Sequence, residues 1–558
     1  MIRKTVVGLA AIVLIAGSLS LARPGYSVDE EFTVFAVRGI EAHGLPLLPS
    51  GLLYDRGIAY SYASWVAKAM TGWELPIYRA ISLVSAALSV LLTFMVVRRI
   101  ASETTALAAS AMITLSMPFW ATATSGRFYA PFLGAYLLAV YFLTHRHWWI
   151  GLIAAAALAR LTHELAFTLA VIPAVCWLFA KGDRRHWFFM TVAVTSGLVL
   201  GQLVLFGLHY AAPTSGETMV RRFFLWQVLN LFERPGSRQF MIPIAVLIAG
   251  LVLAPKRAWI ITVGALSVAT LILSMSIAQA SNTAPLSWSL VQSVLVEGSR
   301  YPLDMFWHIV RMTPLTVLTA LLFIVYRAPT FAKATAGKRS EWPPKQRAAH
   351  LLWIGWVLWF GVIDSGITTN YLLLPVTFLL LAIAVDASTV LPRVAVVALA
   401  LVIGVEQWRA TTLDAARPTI VDDGLGEVRA GLQPGDRVVC TDELGCLMLV
   451  GRIDRWLALD DFVRERFLVR RGDGPVTGVY TGVPAVFRPA DLFSPNPDGA
   501  LPDRVVIVDV FKDYPIGNSQ TWLPRAIEED GVRVRPLLET PQLRVLEVST
   551  PEAVARLR

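Results

Sequence analysis

Three consecutive carboxylates, Asp29, Glu30 and Glu31, follow directly on an apolar stretch and open a segment that repeats apolar residues at helical spacing through Phe32, Phe35 and Ile40. Carboxylates placed at a membrane surface can take a proton from an attacking hydroxyl or hold a hard divalent cation through oxygen. The plainer role for Asp29 and Glu30 is electrostatic, because negative side chains favour the positive N-terminus of a helix. Positive charge recurs at Arg127, Arg160 and, when protonated, His163, each at the end of an apolar run. Cations there can stabilise a departing phosphate; the bland alternative is that they snorkel to the interface. Asp55 and Arg56 share the loop that begins with the carboxylates, and loops are where substrate contacts concentrate.

Composition dictates what positions these groups. The chain has 558 residues, 55% of them hydrophobic and only 16% charged, with mean hydropathy +0.58. Soluble proteins carry roughly 25% charged residues, and single cores stop growing near ~250–300 residues. A soluble enzyme, a disordered chain and a disulfide scaffold with three cysteines are therefore excluded. The bulk must lie in lipid, where about 20 apolar residues make one crossing. Runs of that kind fall near 5–22, 76–97, 103–121, 128–144, 148–160, 164–180, 187–209, 240–254, 258–279, 308–326, 350–363, 370–386 and 391–407, thirteen spans. If the N-terminus is cytoplasmic, each short inside segment is basic, from Arg3-Lys4 and Arg98-Arg99 to Lys256-Arg257 and Arg393, as the positive-inside rule requires. The net charge of +9 then reflects cytoplasmic loops rather than a nucleic-acid partner. Residues 1–22 also fit a cleaved signal peptide, and either reading brings residue 23 out on the far side.

The first outer loop, 23–75, carries two candidate interfacial helices, one after the carboxylates and one over Ile58–Met70. From about 409 the composition turns ordinary. Short β-rich runs (Arg437–Cys440, Leu447–Val450, Val479–Thr481, Val505–Val510, Arg544–Val548) alternate with candidate helices at Asp460–Val469 and Leu523–Asp530. The expected organisation is a transmembrane domain over 1–408 and a small α/β domain over 409–558 on the extracytoplasmic side. Cys440 and Cys446 lie there and are candidates for a disulfide, whereas Cys176 reads as an apolar filler.

This order, Asp-Glu after the first span, a long loop with amphipathic helices, a multi-span bundle and a terminal soluble domain, resembles the GT-C superfamily of membrane glycosyltransferases. The nearer resemblance is to the protein-O-mannosyltransferase and aminoarabinose-transferase-like branch (glycosyltransferase family 39/83-like). Gly51-Leu52-Leu53-Tyr54-Asp55-Arg56-Gly57 is similar to that branch's aromatic-basic stretch before the second span, without its prolines. Ser125-Gly126-Arg127-Phe128-Tyr129 resembles the Arg-aromatic start of a later span. Leu158-Ala159-Arg160-Leu161-Thr162-His163 resembles a turn in which lysine is usual at the histidine. Asn370-Tyr371-Leu372 resembles an Arg-Tyr-Leu motif with Asn for Arg, and Gly451-Arg452-Ile453-Asp454 resembles the soluble domain of bacterial members.

The resemblance implies an integral-membrane transferase, in a bacterial-type inner or plasma membrane, that moves a sugar from a polyprenyl-phosphate donor to a hydroxyl of a glycan, lipid or protein outside the cytoplasm, with inversion. Asp29 is then the general base with Glu30 beside it. Arg127, Arg160 and His163 face the donor phosphate, and Asp55, Arg56 and Tyr371 are substrate contacts. No cofactor is required. A divalent cation, Mg²⁺ or Mn²⁺, is the alternative, with Asp29, Glu30 and Glu31 as its ligands. Two other readings stand beside this one: a transporter or flippase of lipid-linked sugars, which would call for internal symmetry and midplane charge, and an inactive GT-C relative.

Overall fold

The computed structural model describes residues 2–23, 25–27, 29–145, 148–179, 183–212, 312–320, 322–323 and 372–414 of the helical part; of the remainder it describes 419–420, 425–458, 468–470, 474–487, 489–495, 501–502, 504–510, 533–540 and 543–549. The expected spans 240–254, 258–279 and 350–363 lie outside the described residues, as do Asn370, Tyr371 and the candidate helix Leu523–Asp530.

A first helix, α1 (Ile2–Ser18), runs into β1 (Tyr26–Ser27), α2 (Glu30–His43) and α3 (Ile58–Thr71). Glycines in the left-handed conformation, Gly44 and Gly72, stop α2 and α3 by turning their N–H groups back to Ile40 and Lys68. The bundle continues with α4 (Leu75–Ile100), α5 (Glu103–Thr114), α6 (Met117–Ala123), α7 (Tyr129–Leu143), α8 (Trp149–Thr162), α9 (Val171–Phe179), α10 (Arg184–Ala211), α11 (Leu373–Val390) and α12 (Arg393–Asp414). Among the described residues α4, α10 and α11 are long and apolar enough to cross a membrane.

Two expected spans take a different form. The run 103–121 is not one helix: α5 and α6 meet at a 64° bend. Pro118 in the first turn of α6 has no N–H to continue the α5 ladder, so the chain must restart there. The run 164–180 opens as a 3₁₀ turn over Glu164–Ala170 before α9 begins. An unbroken helix would put Pro173 in its interior, and restarting at Val171 moves that proline into a first turn.

Small residues let α8 and α10 approach closely. A Cβ on Gly197 would stand 2.4 Å from the Ile153 carbonyl oxygen, and one on Gly201 would stand 2.9 Å from that of Ala157. This contact holds Arg160, on α8, against Gln202 on α10.

The C-terminal part is an α/β unit. In chain order it contains β2 (Thr419–Ile420), α13 (Leu425–Gly431), β3 (Asp436–Cys440), α14 (Glu443–Val450), β4 (Arg455–Leu457), β5 (Leu468–Arg470), β6 (Val476–Gly478), β7 (Ala485–Val486), β8 (Arg504–Val510), β9 (Arg533–Glu539) and β10 (Leu543–Ser549). Six strands form one sheet in the order β7-β4-β3-β8-β10-β9, parallel from β7 to β8 and antiparallel at β10 and β9. Leu447–Val450, expected as a strand, is helical: Asp442 caps α14 through the Gly445 N–H, and Gly451 closes it in the left-handed conformation. Val479–Thr481, also expected as a strand, forms a turn after β6. Leu468 and Val469 are in β5 rather than in a helix. Cys440 and Cys446 are joined by a disulfide.

The sheet is fastened to the first loop of the bundle. β1 pairs antiparallel with β2, Tyr26 opposite Ile420, and the Tyr26 ring lies in the apolar layer formed by Val438, Cys446, Leu449 and Val506. In return Leu444 and Val479 are buried with the core of the bundle. Replacing Gly197 by valine should wedge α8 from α10 and lower stability by about 1–3 kcal/mol, read as a lower melting temperature of the full chain in detergent.

Candidate active site

The turn between β1 and α2 is held by a buried ion pair. Arg79, on α4, binds both oxygens of Glu30 through Nε and Nη2 (3.0 and 2.6 Å); Nη2 also donates to the Gly25 carbonyl and Nη1 to that of Arg23. Glu30 also accepts the N–H groups of Ser27 (2.9 Å) and Gly126 (2.6 Å). Both side chains are almost wholly excluded from solvent. Burial alone would raise the Glu30 carboxyl, but Arg79 and the two peptide N–H groups outweigh it and hold it below the usual range. Glu30 is thus a fastener with both oxygens occupied.

Asp29, one residue earlier, is the only non-glycine residue with positive φ among the described residues (φ 73°). It occupies the N-cap position of α2, where its charge meets the positive end of the helix, but its side chain makes no capping bond. The peptide is gripped on both sides: its N–H donates to Glu31 (3.2 Å) and its carbonyl accepts from Arg127 (2.7 Å). The carboxylate is left about one-third exposed, with Oδ2 3.8 Å from Arg127 Nη2. A non-glycine residue in this conformation costs of order 1–3 kcal/mol and persists where its surroundings impose it, most often at functional sites.

Arg127 is buried in the turn before α7, whose backbone Ser82 fixes by donating to the Arg127 carbonyl (2.8 Å). It donates to the Tyr54 hydroxyl (2.8 Å) and lies among the rings of Phe32, Tyr54, Phe128 and Tyr129, 4.9–5.9 Å from their centres. Its Nε is buried with no hydrogen-bond partner among the described residues. Burial opposes the charge, but Tyr54 and Asp29 raise the pKa, so the guanidinium stays protonated.

The other expected cations differ. His163 is buried, its Nδ1 accepts the Leu165 N–H (3.1 Å), and its ring packs on Phe128 and Phe132. Burial, then the charges of Arg56, Arg160 and Arg127, push its pKa well down. It is therefore a neutral ring, able to offer an Nε2–H hydrogen bond but no charge, which corrects the expectation of a cation. Arg160 spends two nitrogens on Gln202 Oε1 (3.0 and 2.5 Å) and lies over Phe167. Asp55 points to His209 on α10 (3.3 Å), while Arg56 is near enough to act electrostatically on His163 and Tyr54. Tyr371 lies outside the described residues.

The three carboxylates of the turn are committed differently. Glu30 is turned to Arg79, and Glu31 is buried and pushed well up, first by burial and then by the charges of Asp442 and Asp29, so it stays protonated. No group of three potential ligands converges among the described residues. Sequence reasoning missed Arg79, Gln202, His209 and the C-terminal residues Asp442, Glu443 and Tyr480. For Arg79 the available signal was a charge within an apolar helix.

No family model matches the sequence, and no curated protein does. Solved structures do. The archaeal oligosaccharyltransferase AglB from Archaeoglobus fulgidus, in complex with an inhibitory peptide and a dolichol-phosphate, matches over 93% of this chain and 70% of its own, at TM-score 0.50 and 13% identity. ArnT from Cupriavidus metallidurans bound to undecaprenyl phosphate matches over 98% of both chains at TM-score 0.46 and 15% identity. The likeness to AglB is one of fold: the two share a helical architecture, and among the described residues of this chain three helices are long and apolar enough to cross a membrane.

Replacing Arg79 by methionine leaves Glu30 an uncompensated buried charge and should cost about 3–5 kcal/mol, measurable as a loss of thermal stability that Glu30→Gln in the same chain partly restores. Burial also pushes Glu443 up to about 8. An acid whose folded pKa is raised binds more protons folded than unfolded, so stability falls as pH rises from the ordinary glutamate range of about 4.3 toward the folded value. Melting temperatures of the full chain should decline across that window, and Glu443→Gln should flatten the decline.

Proposed function

We propose that this protein is an integral-membrane glycosyltransferase that moves a sugar from a polyprenyl-phosphate carrier to a hydroxyl acceptor on the extracytoplasmic side. The observation that carries the reading is the juxtaposition of a strained, partly exposed Asp29 carboxylate with a buried Arg127 whose Nε has no partner among the described residues. In support, the fold is shared with an oligosaccharyltransferase whose structure holds a dolichol-phosphate. The sidedness rests on the alternation of basic loops.

In this reading Asp29 is the general base. The acceptor oxygen attacks the anomeric carbon from the face opposite the phosphate, its proton passes to Asp29, and the bond from the anomeric carbon to the phosphate oxygen breaks with its electron pair leaving on the phosphate. The configuration inverts and polyprenyl phosphate is released. Negative charge grows on the phosphate as that bond breaks. A fixed, desolvated guanidinium stabilises it without reorganisation, and this is the work assigned to Arg127. His163 contributes a neutral hydrogen bond, and Arg56 and Arg160 add positive potential around it. Glu30 positions the base through Arg79 and takes no proton. The charge supplied by Arg127 makes a divalent cation unnecessary in this scheme, and the pairing of both Glu30 oxygens with Arg79 argues the same way.

Three measurements test it. Purified protein should release polyprenyl phosphate from a labelled carrier-sugar when acceptor is present, and Asp29→Asn should reduce that release by at least about 10²-fold while the protein still inserts and folds. Arg127→Lys should also lose activity, because an ammonium lacks the planar guanidinium that lies among the four rings and keeps Nε free while Nη1 bonds the Asp29 carbonyl and the Tyr54 hydroxyl. A chelator should leave turnover unchanged; loss restored by Mg²⁺ or Mn²⁺ would replace the metal-free scheme. Full transfer by the Asp29→Asn variant would remove that residue from the role of base.

A further inference from the structure

The helical bundle does not finish the surroundings of Arg127 by itself. The Phe32 ring is stacked on Tyr54 (5.5 Å between centres) and lies 5.6 Å from the Arg127 guanidinium. A further ring contact comes from the C-terminal unit: the Tyr480 ring meets it edge-on at 4.8 Å and 85°. Tyr480 is therefore one ring removed from the arginine assigned to the donor phosphate.

The turn that carries Tyr480 is fixed in place on both sides. Ser50, in the first loop, donates its N–H to the Tyr480 carbonyl (3.0 Å) and its hydroxyl to the Val479 carbonyl (2.7 Å). Val479 is buried with the bundle core. Behind the turn, the Thr481 N–H donates to Glu443 (3.1 Å), and its hydroxyl bonds the same carboxyl oxygen. The chain must bend sharply to do this: Gly482 has φ 76°, and a Cβ at Gly478 would collide with the Glu443 carboxyl group. A surface turn seldom has two hydrogen bonds into another part of the molecule, a buried apolar anchor and glycines required by crowding and by φ. Together they read as a device for placing the one large side chain at its tip.

We infer that Tyr480 is a positioning residue of the active site, through which the C-terminal unit holds Phe32 against Tyr54 and so aims the Arg127 guanidinium. The inference rests on the proposed function for what Arg127 binds, but not for the contact chain itself. A guanidinium held by two hydrogen bonds and four rings has little freedom only while those rings are fixed. Removing the edge contact frees Phe32 to rotate, and Arg127 with it. The contact with Phe32 is made by the Tyr480 ring and not by its hydroxyl, which separates positioning by the ring from a direct polar contact with substrate.

The test compares Tyr480→Ala with Tyr480→Phe in the full chain. The probe is undecaprenyl phosphate, titrated by intrinsic tryptophan fluorescence, followed by turnover of the carrier-sugar. Alanine should weaken binding and lower kcat/KM by on the order of tenfold or more, with phenylalanine restoring both. In parallel, 3-fluorotyrosine placed at position 54 reports the ring cluster without any ligand, and its fluorine resonance should move in the alanine variant and return in the phenylalanine variant. If wild-type protein binds no undecaprenyl phosphate, the proposed function fails and the fluorine shift alone decides the inference. An alanine variant with wild-type binding, or an unmoved resonance, overturns it; equal damage by phenylalanine overturns the positioning role in favour of the hydroxyl.

Discussion

The geometry of the site depends on one buried ion pair. Arg79 and Glu30 use nearly all their bonding capacity on the backbone around them: Arg79 on the carbonyls of Arg23 and Gly25, Glu30 on the N–H groups of Ser27 and Gly126. The pair therefore joins the exit from α1, the start of α2, the body of α4 and the turn before α7. Asp29 lies between two residues that this network fixes, Ser27 and Glu30, and takes the left-handed conformation that remains. An isolated buried pair is a weak source of stability. A pair whose spare lone pairs and protons are all met by peptide groups is a means of specifying one backbone path.

The three neighbouring carboxylates consequently do different work. Glu30 is ionised and paired with Arg79. Glu31, buried near Asp442 and Asp29, keeps its proton and accepts the Asp29 N–H. Asp29 retains access to solvent beside Arg127. Like charges at close range cannot all be ionised in a dry setting, and the environment separates them by burial and partner. Burial first, and then the charges of Arg56, Arg160 and Arg127, push the His163 pKa down by the same rule applied to positive charge.

Local pattern made several elements legible in the sequence. α3 was readable from Ile58 onward because its apolar and aromatic residues recur at helical spacing and Gly72 stops it. α2 was readable from Phe32, Phe35 and Ile40. The same logic failed where the deciding contact is distant. Leu447–Val450 looks like a strand until Asp442 caps it as a helix. The bend between α5 and α6 follows from Pro118, which a count of apolar residues overlooks. In the site, Asp29, Arg127 and His163 stood out by residue type, but the charge state of His163 depends on arginines from two other segments. Arg79 was illegible as a structural residue because its partner, Glu30, is 49 residues away in the chain. Tyr480 could not be found at all by pattern, since its importance lies in a ring contributed by another part of the fold.

The proposed chemistry depends on where a carrier phosphate sits. A structure determined with undecaprenyl phosphate bound would test it most directly. The phosphate is predicted to lie within hydrogen-bond reach of Arg127 Nε, on the side of the turn that the Asp29 carboxylate faces. A phosphate bound elsewhere, with Arg127 still closed in among its four rings, would contradict the account.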